Sequence, residues 1–175
     1  MVNKTKTNLT RCAVTGSFDP ITNGHYDIIM NALSTFDLVY VVVLINESKT
    51  SFFTMEERVQ ILKELFCDKA NIIVDSYEGL TIDYCRAHGI NVILRGFRDS
   101  RDFEYESLMS KYNFENGAVK TLLIPAKEEN GFVSSSKVRI ALEENKDLSA
   151  YLPKKIINKV KEIYYTKVER INESS

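Results

Sequence analysis

The chain has 175 residues, 44% of them hydrophobic, which suits one domain with a sizeable core. Basic residues number 23 against 24 acidic ones, and this near-neutral balance excludes a general nucleic-acid or anionic-membrane binder driven by charge. Any phosphate recognition must be local.

In chain order, residues 1–10 form a polar extension with no apolar signal region. Cys12–Thr15 predicts the first strand. It runs into Gly16-Ser17-Phe18-Asp19-Pro20-Ile21-Thr22-Asn23-Gly24-His25, a strand-to-helix turn carrying one of the two histidines. Glycines at 16 and 24 let backbone approach a ligand, Pro20 stiffens the turn, and a helix N-terminus just before His25 offers free N–H groups to an anion. The amphipathic stretch Tyr26–Phe36 follows, with Ile28, Ile29, Ala32, Leu33 and Phe36 on one face.

Leu38–Ile45 predicts the second strand; it is the longest apolar run and too short to span a bilayer. Thr54-Met55-Glu56-Glu57 is a capping box, opening a helix with Val59, Leu62, Leu65 and Phe66 inward. Asn71–Asp75, Asn91–Leu94 and Lys120–Ile124 complete the strands, whose unbroken apolar character suits a sheet buried on both faces. Gly89 and Gly117 are expected to be helix C-caps, whereas Gly16, Gly24, Gly79, Gly96 and Gly131 fall at the opposite edge. His88, beside Gly89, suits a helix C-terminus.

Ser134-Ser135-Ser136 opens a helix containing Val138, Ile140, Ala141 and Leu142, and Pro153 starts the last one, with Ile156, Ile157 and Val160. The polar tail from about Thr166 to residue 175 is expected to fray, and Tyr164-Tyr165 to serve packing or an interface. Cys12, Cys67 and Cys85 form neither a C-x-x-C pair nor a disulfide framework, which fits a reducing cytoplasm.

Strands and helices alternate, so the expected fold is α/β: a single Rossmann-like domain over residues 1–175, with a doubly wound five-stranded parallel sheet and C-terminal helices. Ligands of such sheets bind beyond the strand carboxyl ends, where the winding changes direction. On this register Ser17 and His25 follow the first strand, Lys49 the second, Thr81 the third, Arg95 and Arg98 the fourth, and Lys127–Ser136 the fifth.

Within Arg95–Glu106, two arginines flank Gly96-Phe97 and can present guanidinium forks to phosphate, while Asp102 and Glu106 lie one helical turn apart. Alone, this block fits a phosphate site or a surface ion-pair network equally. Other residues have structural alternatives too: Lys49 as a solvated lysine, Thr81 and the serines as helix caps, Glu106 as the partner of an arginine.

The first turn resembles the G-x-F-D-P-x-x-x-G-H signature of nucleotidylyltransferases with a T/H-x-G-H motif, here Thr22-Asn23-Gly24-His25. With R-G-x-R-x-x-x-D-F-E-Y-E at Arg95–Glu106, Ser48-Lys49, Phe53–Arg58 and Phe132–Ser136, the chain from about Val14 to Pro153 resembles the phosphopantetheine adenylyltransferases. The resemblance implies reversible transfer of AMP from ATP to 4′-phosphopantetheine, giving dephospho-coenzyme A and pyrophosphate. It implies that His25 stabilises the transition state, assisted by Lys49, and that Ser17, Lys49, Thr81 and Arg95 bind 4′-phosphopantetheine. ATP would be held by Ser17, Phe18, His25, Gly96, Phe97, Arg98, Glu106, Asn130, Gly131, Phe132, Val133, Ser134, Ser135 and Ser136. Mg2+ bound through the ATP phosphates, with no protein metal ligand, a homohexamer, and coenzyme A as feedback inhibitor are implied likewise.

The loop Lys127–Phe132 departs from the family, with Asn130-Gly131 and one additional residue in place of the usual aromatic-Ser. A nicotinate-mononucleotide adenylyltransferase shares the histidine turn but not the Arg95–Glu106 block, and a cytidylyltransferase would carry an R-T-x-G-I-S-T-T phosphate motif that is missing here. A non-catalytic adenine-nucleotide sensor is the alternative outside enzymes, since a fold does not establish catalysis.

Overall fold

The computed structural model describes residues 9–45 and 50–173. Five strands, β1 (Arg11–Gly16), β2 (Leu38–Leu44), β3 (Ile72–Tyr77), β4 (Val92–Phe97) and β5 (Lys120–Pro125), pair in parallel in the order β3-β2-β1-β4-β5. The expected doubly wound sheet is therefore present, with its winding reversed between β1 and β4.

Alternation along the strands divides the core. Cys12 and Val14 of β1 and Val39, Val41 and Val43 of β2 face α1 (Asn23–Thr35), α2 (Met55–Leu65), α5 (Ser135–Glu143) and α6 (Ile157–Glu173). Ala13, Val42 and Ile93 face the other way, onto Ile82, Tyr84 and Cys85 of α3 (Thr81–Ala87). Next to α3 lies α4 (Ser100–Gly117), which also packs on β4 and β5. Burial on both faces holds for β1 and β2 but not for the edges, where Ile73 and Leu122 remain exposed.

The ladder between β1 and β4 is short. Six residue pairs join β1 to β2, but only Ala13↔Ile93 and Val14↔Leu94 join β1 to β4. Beyond Leu94 the two strands part, and the opening lies at the carboxyl edge.

Helix starts follow their sequence signals. Thr54 Oγ1 accepts a bond from Glu57 N while Glu57 Oε2 accepts one from Thr54 N, and Ser134 caps α5 by accepting from Lys137 N. Three local expectations differ. Gly117 is the last helical residue of α4, and Ala118 takes the left-handed conformation at φ 52°. A Cβ at Gly117 would sit 2.8 Å from Ile82 Cβ, so this glycine serves the approach of α4 to α3. Strand β4 continues through Phe97, so Arg95 and Gly96 lie inside it. The tail does not fray at Thr166: α6 runs to Glu173, held by Val168 against the core and by Lys167 Nζ bonded to Phe52 O and Glu57 Oε2.

His88 closes α3 as expected, with its ring stacked on Tyr84 at 4.0 Å, far from the carboxyl edge. Tyr164 is buried and stacked on Phe52.

Candidate active site

The turn after β1 is fixed from three sides. Arg58 of α2, itself buried, donates from Nη1 to Ser17 O at 2.9 Å. Asp19, only 5% exposed, accepts from the backbone N–H groups of Phe52 (3.0 Å) and Phe53 (2.8 Å) and from Arg139 Nη1 (3.1 Å). Ser135 Oγ donates to Pro20 O at 2.8 Å, tying the start of α5 to the same turn. Within it Phe18 has φ 46°, a conformation that costs a bulky residue about 1–3 kcal/mol. Its buried ring packs edge-on against the His25 ring at 5.2 Å.

His25 is the third residue of α1 and part of its capping box. Thr22 N donates to His25 Nδ1 at 3.1 Å, while Thr22 Oγ1 accepts from His25 N. A ring nitrogen that accepts from a backbone N–H carries no proton, so the imidazole holds its hydrogen on Nε2. Burial, then the positive charges of Arg95 and Arg98, lower its pKa from 6.5 to about 4. At neutral pH His25 is an uncharged donor of fixed tautomer, suited to meeting an oxygen on which charge develops.

Two cavities meet beside it. One, of about 410 Å³, is lined by Gly24, His25, Gly96, Arg98, Asn130 and Ser134. The other, of about 820 Å³, is lined by Thr81, Met109, Asn113, Ser136 and Arg139. Both touch Gly16, Ser17, Arg95, Tyr105, Glu106 and Ser135, which form the shared wall.

In that wall Arg95 makes a two-pronged pair with the buried Glu106 carboxylate, Nε to Oε2 at 2.9 Å and Nη2 to Oε1 at 2.7 Å. Its remaining arm donates to Thr15 O across the gap between β4 and β1. Arg98 pairs similarly with Asp102, at 2.7 Å, and reaches Val133 O. The carboxylates one turn apart on α4 thus hold both guanidinium groups beside the cavities.

Comparison with known proteins places this arrangement. The cytidylyltransferase-like family model matches residues 13–141. A phosphopantetheine adenylyltransferase from Frankia casuarinae is 39% identical over 156 residues, covering 87% of this chain and 96% of the relative, and one from Streptomyces coelicolor is 38% identical with the same coverage. The chain belongs to the phosphopantetheine adenylyltransferases. Among solved structures, a bifunctional NMN adenylyltransferase/ADP ribose pyrophosphatase from Francisella tularensis aligns with TM-score 0.63 at 16% identity, over 82% of this chain and 45% of that one. A lipopolysaccharide core biosynthesis protein from Thermoplasma volcanium aligns with TM-score 0.52 at 22% identity, over 69% of this chain and 99% of that one. Both likenesses concern the fold.

Of the residues singled out from the resemblance to phosphopantetheine adenylyltransferases, Ser17, Arg95 and Glu106 lie in the shared wall. Phe18, His25, Gly96, Phe97, Arg98, Asn130, Val133 and Ser134 line the smaller cavity, while Thr81 and Ser136 line the larger one and Ser135 both. Gly131 and Phe132 line neither; Phe132 packs on Tyr151 at the surface. Lys49 lies outside the described residues. Thr81 is the first residue of α3, whose cap is Leu80, and makes no capping bond. Sequence reasoning gave no role to Asp19, Arg58 and Arg139. Asp19 sat within the quoted signature, but two arginines among apolar helical positions carry no local mark of the turn they grip.

Proposed function

We propose that the chain carries out the reaction for which its relatives are named, transfer of the adenylyl group of ATP to 4′-phosphopantetheine, yielding dephospho-coenzyme A and pyrophosphate. One observation carries the reading: two cavities share a wall of Ser17 and Arg95, with the fixed His25 donor on one side and Thr81 on the other. The smaller cavity would take ATP and the larger the pantetheine arm, so that the two phosphates meet at Ser17.

The acceptor is a phosphate monoester with a second pKa near ~6, so most of it is already the dianion at neutral pH and no base is required. In-line attack on the α-phosphorus puts negative charge on its equatorial oxygens. His25 Nε2–H meets that charge. Arg95 and Arg98 supply positive charge beside it, and Lys49 is read as a further donor.

Among the described residues no group of three or more His, Cys, Asp or Glu could hold a metal, and the rim carboxylates Asp19, Asp102 and Glu106 are each engaged by an arginine. This donor set fits magnesium held by the triphosphate itself, where it would offset charge on departing pyrophosphate. Purified protein with ATP, 4′-phosphopantetheine and magnesium is expected to release pyrophosphate and form dephospho-coenzyme A. ATP binding without acceptor-dependent release would instead support the nucleotide sensor.

Self-association belongs to the same reading. Phe103, Leu108 and Phe114 on α4, with Leu122 on β5, leave an exposed apolar surface that a second copy could cover. A homohexamer is expected, and light scattering after size exclusion tests it; a fully active monomer would rule it out. No helix of the described residues is long and apolar enough to cross a membrane, and the three cysteines are unpaired, in keeping with a cytoplasmic enzyme. Coenzyme A, which shares the product's chemical parts, is proposed as an inhibitor of the same cavities.

A further inference from the structure

The loop between β5 and α5 is fastened by a residue that no motif singled out. Asp27 lies on α1 two residues after His25. Its Oδ1 accepts from Lys127 Nζ at 2.9 Å and its Oδ2 from Asn130 Nδ2 at 2.5 Å. Asn130 is 7% exposed. Its backbone N–H closes a turn on Lys127 O at 2.9 Å, and its carbonyl accepts from Val133 N at 3.1 Å. Through Asn130, one carboxylate on α1 therefore sets both the turn of the loop and the approach of Val133 and Ser134 to the start of α5.

The two links are unequal. Lys127 is more than half exposed, and a pair of that kind contributes little in water. The bond from the buried amide is charge-assisted and the less exposed of the two, so it carries the constraint. Asp27 and His25 share one rigid helix. The loop facing His25 across the smaller cavity is thus held at a fixed distance from it.

We propose that Asp27 is a positioning residue for ATP: by anchoring Asn130 it holds the Lys127–Val133 loop so that Ser134, Ser135 and His25 face one bound triphosphate. This rests on the reading of the smaller cavity as the ATP site. It also gives Asn130 an indirect role, through the shape of the loop.

The test compares D27A, N130A, the double variant and K127A by calorimetry with ATP and by steady-state kinetics. D27A is expected to raise the Kd and KM for ATP about tenfold, the loss of one charge-assisted bond, with the KM for 4′-phosphopantetheine unchanged. N130A should match it, the double variant should be no worse than either single one, and K127A should change the Kd for ATP less than about twofold. D27N, which retains an acceptor for the Asn130 amide, should fall between wild type and D27A. Should D27A not fold, D27N against N130A carries the same comparison.

Unchanged ATP binding in D27A, losses that multiply in the double variant, or equal losses for both substrates would overturn the proposal. Wild-type protein separates the two levels of inference. If it binds ATP and D27A binds equally well, only the anchoring role falls; if it does not bind ATP, the site reading falls and the anchoring role with it.

Discussion

Replacing His25 with alanine is expected to lower turnover ~10²–10³-fold while changing ATP affinity far less, because the role proposed for its Nε2–H is to meet charge developing on the α-phosphate. Steady-state kinetics beside calorimetry would separate the two quantities. Unchanged turnover with weakened ATP binding would make His25 a ground-state contact only. The low pKa of this histidine has a second consequence. In the unfolded chain the imidazole takes up a proton near pH 6.5, whereas in the fold it resists until about pH 4. Between those values the unfolded state binds more protons, so stability falls as pH drops from 6.5 to 4, by about 3 kcal/mol in all. The alanine variant should lose that acid-side slope in denaturant titrations of the ligand-free protein. A wild-type His25 resonance titrating near pH 6.5 would contradict both the pKa and the slope.

Asp19→Ala is expected to be the most damaging substitution for stability. It removes the acceptor of two backbone N–H groups, Phe52 and Phe53, and the carboxylate that pairs with Arg139, all from a side chain buried to 5% exposure. Arg139 would keep its bonds to the carbonyl of residue 19 and to Ser136 Oγ, but two unmatched backbone donors and a partly buried guanidinium without its counter-charge should cost about 3 kcal/mol. At this chain length that corresponds to a fall of roughly 10 °C in Tm. Asp19→Asn, which keeps one acceptor oxygen but loses the charge, should cost less. A loss below about 1 kcal/mol in urea unfolding would show that Arg58 and Ser135 hold the turn without Asp19. Activity should fall with stability, since Ser17 and Phe18 lie in the turn that Asp19 fastens.

What could be read from the residues was what depends on neighbours in sequence. The β-branched runs at Leu38–Ile45 and Lys120–Ile124 announce strands because their side chains suit a pleated, buried surface, and β2 and β5 form there. Thr54-Met55-Glu56-Glu57 announces a helix start because both halves of the capping box lie within one turn. The placing of candidate residues at the carboxyl ends of the strands followed from the alternation of strands and helices, which implies a parallel sheet. Hidden features depended on partners distant in the chain. Glu106 could be read as the partner of an arginine, but that Arg95 would also reach the Thr15 carbonyl required knowing that β4 adjoins β1. The left-handed Ala118 ran against glycine statistics because Gly117 is needed where α4 meets Ile82, a contact from another element. Helix α6 outlasts its polar sequence because Val168 and Lys167 find partners in the core and on the segment before α2. Asp27 carries no local mark of its role, because its partners Lys127 and Asn130 lie on the loop after β5.

The abbreviated ladder between β1 and β4 makes the sheet two ribbons, β3-β2-β1 and β4-β5, joined along a seam that opens toward the site. At the mouth of that seam a side chain, Arg95, spans from β4 to the Thr15 carbonyl where two backbones would otherwise be bonded. Motion that splays the ribbons is therefore felt first where the two substrates are proposed to meet. Phosphates lodged between Ser17 on one ribbon and Arg98 on the other would serve as cross-links, extending the joint beyond the last strand pair. On that view the empty protein is the more compliant object, and the reacting molecules supply the stiffness that their own alignment requires.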